Sequence, residues 1–327
     1  MSSADVIASG FPRRRTPAAP LLLLLGSVAL YIGVAISTGQ TRMLAVEGVV
    51  GLLQRMVALG IVAIWQTFVI LAGSIDLSVA NLISVAAVLA SFIMQGRPEM
   101  MLVAVMVVLA VSAAVGFING VLVSRLQVSP FIATLGSGLI LQGLLSASFT
   151  NFAGSVPIEF QSVAYGALGP VPYSVIGLFL LAILASILLR ATKFGAHLYA
   201  VGGNAEGARL AGIRTDFVTI GAHVLCSLTA GVAGLYLASR LRSGAPWIGR
   251  SGVYDLESIA VVVIGGTLLA GGRGGVWGTL AGVLLFAVLD ASFNMLDVSA
   301  YPKLVLRGAI VIAAVAIYTF RSREIAA

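Results

Sequence analysis

Few side chains in this sequence can do covalent chemistry. Two histidines, His197 and His223, one cysteine, Cys226, and two lysines, Lys193 and Lys303, are the whole supply of those types. A zinc site needs clustered Cys, His or carboxylate ligands, and no H-E-x-x-H or Cys/His cluster is present. No serine stands in a G-x-S-x-G frame. A phosphate-binding loop needs a lysine after glycine and before Ser or Thr, and neither lysine is so placed. The run Gly271–Gly275 is glycine-rich but lacks that lysine, and Trp277 stands where G-x-G-x-x-G requires its third glycine. The residue types argue against an enzyme and against a metal or nucleotide site in this chain.

What remains is a set of polar residues inside apolar runs. Asp76 lies in Gly73-Ser74-Ile75-Asp76-Leu77-Ser78, a helix break between two long apolar runs. Its carboxylate can cap the following helix at the positive end of the dipole, or it can meet a solute. Asp290 lies deep in another run with Asn294 one turn on, and Asn81, Asn119, Thr134 and Gln142 are similarly embedded. Any one of these can serve as an interhelical hydrogen bond. As a set they point to a hydrophilic path, with Asp76, Asn81, Asn119, Thr134 and Asn294 as its candidate lining. Arg55 is expected to snorkel to the outer interface.

The elements that must hold these residues follow from composition. Of 327 residues, 59% are hydrophobic and 9% charged, and mean hydropathy is +1.08. Soluble domains are about 25% charged, so a water-soluble globule is excluded. A spanning helix uses about 20 apolar residues. Apolar runs fall near 20–38, 49–71, 77–94, 100–123, 131–149, 172–190, 217–238, 256–270, 276–296 and 302–320. The expectation is an all-α polytopic membrane protein of about ten helices, with a permease domain over 20–320 between short tails at 1–19 and 321–327. With the N-terminus inside, eleven Lys and Arg fall in cytoplasmic segments against seven outside. That favours both termini in the cytoplasm. Arg13, Arg14 and Arg15 precede the first run, which lacks an A-x-A cleavage pattern and reads as an uncleaved span. The net charge of +7 is scattered over helix ends and loops. This suits topology and anionic lipid rather than nucleic acid.

Two local readings bear on the path. The run at 258–270 is short of the bilayer core before Gly271, so 258–275 is either a half-helix with a break at membrane depth or an ordinary cytoplasmic hairpin turn. Gly274, Gly278 and Gly282 form an i, i+4, i+8 stripe, as do Gly116 and Gly120, suited to close intrachain helix packing. The inner loop 191–216 contains Asn204, a good N-cap, then Glu206 in the first turn and Arg209 at i+3. Ala205, Ala208 and Ala211 add a small-residue stripe. A two-turn helix across the cytoplasmic face fits, and such a helix suits docking to a cytosolic partner.

Four stretches then carry a resemblance: Gly73–Ser78 (G-S-I-D-L-S); Asn119–Gly136 (N-G-V-L-V-S-R-L-Q-V-S-P-F-I-A-T-L-G); Ala200–Gly212 (A-V-G-G-N-A-E-G-A-R-L-A-G); and Ala260–Gly278 (A-V-V-V-I-G-G-T-L-L-A-G-G-R-G-G-V-W-G). In this order they resemble the membrane permeases of ATP-binding-cassette importers of the ribose/xylose/galactoside type, over about residues 45–320. Ser74 replaces the second glycine of the first motif, and Asp290 stands where an asparagine is expected. The resemblance implies a second permease copy or paralogue, two cytosolic ATP-binding subunits that hold ATP and Mg, and an extracytoplasmic solute-binding protein. It implies a bacterial inner-membrane location. It makes Gly202, Gly203, Asn204, Glu206, Ala208, Arg209 and Gly212 the coupling segment that enters an ATPase cleft. The competing reading is an ion-coupled secondary transporter of a small polar solute, for which only Asp76, Asp290 and Glu257 could titrate within the membrane.

Overall fold

The computed structural model describes residues 18–299, 301–310 and 312. The basic tail with Arg13 to Arg15, the tail at 321–327 and, of the last apolar run, residues 311 and 313–320 fall outside the described residues. The helices are α1 (Ala18–Ser37), α2 (Val46–Leu71), α3 (Val79–Met94), α4 (Met101–Ser124), α5 (Pro130–Ser148), α6 (Ile158–Tyr165), α7 (Tyr173–Ala191), α8 (Lys193–Gly203), α9 (Ala205–Leu210), α10 (Thr215–Leu241), α11 (Ile248–Ser251), α12 (Tyr254–Ile264) and α13 (Val276–Met295). Residues 301–310 are helical as well. A two-residue hairpin, Ala167–Leu168 against Val171–Pro172, precedes α7.

Seven of these helices are long and apolar enough to cross a membrane: α1, α2, α4, α5, α7, α10 and α13. The ten expected runs therefore resolve into seven full spans, two shorter helices and a last run only partly described. The shorter two are α3, with 16 residues, and α12, with 11. At 1.5 Å per residue α12 is about 16 Å long, half the ~30 Å core. It stops because the chain reaches glycines that take left-handed conformations, Gly266 (φ 92°), Gly271 (φ 90°), Gly272 (φ 72°) and Gly274 (φ 143°).

The core forms around α2 and α10. Every α2 residue from Met56 to Leu71 is buried. Helix α10 packs most extensively on α4, then on α3 and α2. Glycine decides how closely these helices approach. A Cβ on Gly116 would lie 2.6 Å from the His223 carbonyl oxygen, and one on Gly120 would lie 2.6 Å from Ile220 Cα. This pair serves packing inside the chain. Gly278 and Gly282 do the same for the α12–α13 hairpin, against the carbonyls of Gly265 and Val261. Gly274 departs from the expected stripe: it lies in the turn before α13, where its φ of 143° is incompatible with a helix.

Candidate functional site

The break at residues 72–78 turns back into the bundle. Gly73 takes φ 77°, and the Gln66 side-chain amide donates to the Asp76 carbonyl at 3.2 Å, so Asp76 lies below the end of α2 rather than beyond it. Asp76 is fully buried. A buried carboxylate is stable only with partners. Oδ1 accepts from the Ser78 amide at 2.9 Å and from the Ser78 hydroxyl at 2.6 Å, while Oδ2 stands 3.4 Å from His223 Nδ1 on α10. The first bond closes an Asx turn just before α3; the N-cap position itself is Ser78, which makes no side-chain capping bond, so Asp76 orders the break rather than capping the helix. Ser74 Oγ and His223 Nε2 share a hydrogen bond of 2.9 Å.

Asn119 and Thr134 belong to the same network. Asn119 Nδ2 donates to Ser78 Oγ at 2.9 Å, and Ser137 Oγ donates to Asn119 Oδ1 at 2.6 Å. The Leu77 amide donates to Thr134 Oγ1 at 3.1 Å. Asn81 sits at the edge, its Nδ2 3.2 Å from where a Cβ on Gly138 would be. Three of the five path candidates, Asp76, Asn119 and Thr134, are thus sealed in one network that ties α3, α4, α5 and α10 to the break. Asn294 is not part of it: at the far end of α13 its Oδ1 accepts from Lys303 Nζ at 2.5 Å. The residues that sequence reasoning left out are Gln66, Ser74, Ser78 and His223. The available signal was a lone histidine in an apolar helix, which needs a buried partner.

Thr134→Val is nearly isosteric and removes the acceptor of the buried Leu77 amide. The expected cost is about 1–3 kcal/mol, read as a lower melting temperature of the purified chain. An unchanged melting temperature would show that this bond does not hold the break.

A second polar cluster lies beside the C-terminal end of α10, at Tyr236 and Arg240. Arg55 Nη1 pairs with Asp290 Oδ2 at 2.8 Å; Arg307 pairs with Asp290 Oδ1 at 3.0 Å and with Glu257 Oε1 at 3.0 Å. Arg55, with a partly exposed side chain, thus also has an acid partner. The cluster borders a cavity of about 260 Å³ and joins α2, α12, α13 and the helix at 301–310.

The inner loop contains the expected short helix. Asn204 Oδ1 accepts from the Gly207 amide at 2.8 Å, capping α9. Gly212 (φ 83°) ends it in a Schellman arrangement: the Ile213 amide donates to Ala208 O and the Gly212 amide to Arg209 O, both at 3.0 Å. Glu206 and Arg209 form a bidentate pair at 2.7 and 3.1 Å on the exposed face. Arg209's hydrogen bond, then its charge, lowers the Glu206 carboxyl below its ordinary range. Leu210 is 79% exposed, whereas Ala208 turns inward. Gly203 faces open space. Gly202 does the opposite: a Cβ there would lie 1.7 Å from Leu71 O and 2.6 Å from the Gly272 amide nitrogen, and that amide donates to Leu71 O at 3.0 Å. Gly271 packs in turn against Gly202 O and the Gly73 amide. The end of α2, the start of the Asp76 break, the end of α8 and the α12–α13 turn therefore meet at one glycine junction.

The described residues contain no group of three or more His, Cys, Asp or Glu arranged to hold a metal. Comparison with known proteins supplies the family. Residues 48–315 match the family model described as branched-chain amino acid transport system / permease component. The chain is 35% identical over 296 residues to the ribose import permease protein of Escherichia coli (strain K12), covering 88% of this chain and 91% of that protein. It is 35% identical over 277 residues to the ribose import permease protein of Bacillus subtilis (strain 168), covering 82% and 83%. It is 32% identical over 277 residues to the galactose/methyl galactoside import permease protein of Escherichia coli (strain K12), covering 79% and 82%. No solved structure matches. With its helical spans, its capped inner helix and a match over most of its length, this chain belongs to the branched-chain amino acid transport system / permease component family.

Proposed function

We propose that this chain is the membrane-spanning permease of an ATP-binding-cassette importer that moves a sugar or a sugar-like small polar solute across a bacterial inner membrane. Its relatives are named as ribose and galactoside import permeases. The observation that carries the reading is the glycine junction. Only Gly203 and Asn204 separate the exposed helix α9 from Gly202, which touches the end of α2 and the α12–α13 turn, where Gly271 in turn meets Gly73 at the start of the Asp76 break. A push on α9 from a cytosolic ATP-binding subunit would reach both interrupted elements through backbone contacts. Backbone packed on glycine has no flexible side chain to absorb the push. On this reading ATP and Mg bind to the partner subunits, a solute-binding protein delivers the sugar outside, and a second permease copy or paralogue completes the channel.

The test is purification of the full chain from its native membrane, followed by an ATPase assay with candidate binding proteins and D-ribose or D-galactose. The expected result is co-purification of an ATP-binding subunit whose hydrolysis rises when loaded binding protein is added. Uptake by the purified chain alone in vesicles, abolished by a proton ionophore, would replace the importer with an ion-coupled carrier.

A further inference from the structure

Helix α5 carries a polar row that runs from the buried break to its far end. Thr134, Gly138, Gln142 and Ser146 recur at every fourth residue of α5, which places them along one ridge, and Thr150 follows in the chain just past its end. The lower end is anchored. Thr134 holds the Leu77 amide, and a Cβ on Gly138 would lie 3.4 Å from Ser78 Cα. The upper end opens into a cavity of about 480 Å³ bordered by Gln142, Ser146, Thr150, Trp247, Arg250 and Ser251. That volume lies within the ~300–1,000 Å³ of small-molecule sites.

Hydrogen-bond pairing distinguishes this cavity from the one beside Asp290. There, Arg55, Arg307, Glu257 and Asp290 are paired with one another, and Arg240 Nη1 donates to Tyr236 Oη at 3.0 Å. A neutral solute would have to break charge-assisted contacts to enter. In the α5 cavity the side chains of Gln142, Ser146, Thr150, Arg250 and Ser251 form no hydrogen bond or ion pair with the described residues. Gln142 also lies inside an apolar helix, where an amide facing hydrocarbon is costly. The opposite wall is interrupted backbone. After α10 the chain doubles back along α3, with Gly244 against Val88 and Ser91 and Gly249 against the Ala80 carbonyl. Backbone of this kind at membrane depth is tolerated where it is enclosed by protein or lines a wet cavity.

We propose that this cavity is where the permease contacts its solute, a neutral monosaccharide-sized polyol, and that the α5 row leads it to the Asp76 break. Gln142 can donate and accept at adjacent hydroxyls, Ser146 and Thr150 adapt by rotating, Arg250 donates, and the Trp247 ring covers a carbon face. The proposal rests on the importer reading above. Its test uses the full-length chain with Ser146→Cys in membranes, with the unsubstituted chain as blank for the buried Cys226. A polar maleimide is expected to alkylate the new thiol, and saturating D-ribose or D-galactose to slow it about fivefold or more. An osmotically equal concentration of sodium chloride should have no effect. Equal rates with and without both sugars, or a thiol that never reacts, would overturn the site. In the complete importer, Gln142→Ala and Trp247→Ala are expected to raise the KM for uptake while ATP hydrolysis persists. Should no ATP-binding subunit co-purify with the unsubstituted chain, the importer reading fails on its own, and the labelling still decides whether the cavity takes a polyol.

Discussion

Gly202→Ala is expected to prevent this protein from reaching its assembled fold, whereas Gly203→Ala is expected to leave the fold intact. The two glycines are neighbours at the end of α8, and sequence alone treats them alike. Their surroundings differ completely. A methyl on Gly202 would enter the Leu71 carbonyl and crowd the Gly272 amide that bonds to it. Overpacking a tight interior commonly costs 1–3 kcal/mol. Here the obstacle is backbone on two separate elements, so a cost above about 3 kcal/mol is expected, a large share of a typical 5–15 kcal/mol stability. At Gly203 no atom lies within 4 Å of the new methyl. Alanine there trims the freedom of the unfolded chain and is expected to be neutral or slightly stabilising, by up to about 1 kcal/mol. Size-exclusion profiles and melting temperatures of the two purified variants check this. A well-folded Gly202→Ala protein would show that the junction is loose. If Gly203→Ala is well folded but inactive in transport, its fault must lie with whatever docks on the open face.

The same junction explains what could be read from the sequence and what could not. Apolar runs placed seven spans and the capped inner helix because hydropathy and N-cap chemistry are local: Asn204, Glu206, Arg209 and Gly212 do in space what their spacing implies. The glycine pairs Gly116/Gly120 and Gly278/Gly282 were legible as close-packing positions, though not their partners. Gly274 was misplaced because a helical stripe and a left-handed turn use the same residue, and only φ separates them. Polar residues in spans were correctly picked as unusual, but their grouping depended on tertiary contacts. Asp76, Asn119 and Thr134 lie 15 to 58 positions apart in the chain and form one sealed network, while Asn294 pairs with Lys303 elsewhere. His223 was legible only as a lone histidine, since the carboxylate it faces lies 147 residues away. The polar row on α5 was present in the numbering throughout. The wall it faces is the backbone after α10, distant in the chain, so only tertiary contacts bring the two together.

The second large effect concerns the exposed face of α9. Glu206→Arg is expected to abolish ATP-driven uptake in the complete importer while leaving the permease folded. The side chain is largely solvent-exposed, and its intrahelical pair with Arg209 is a surface ion pair that adds little to stability. Folding therefore has little to lose, and the melting temperature should hold. A partner cleft that accepts this helix has more to lose, because placing like charges together at an interface costs several kcal/mol and excludes the wrong geometry. The charge-swapped double variant, Glu206→Arg with Arg209→Glu, separates two roles. It restores an i, i+3 ion pair, at a small penalty for placing the charges against the helix dipole. If the pair serves only to hold α9 together, uptake returns. If Glu206 meets a partner group, uptake stays lost in both variants although α9 remains helical. Full uptake in the single Glu206→Arg variant would remove the coupling role from this face, and would leave α9 as a capped turn that merely connects α8 to α10.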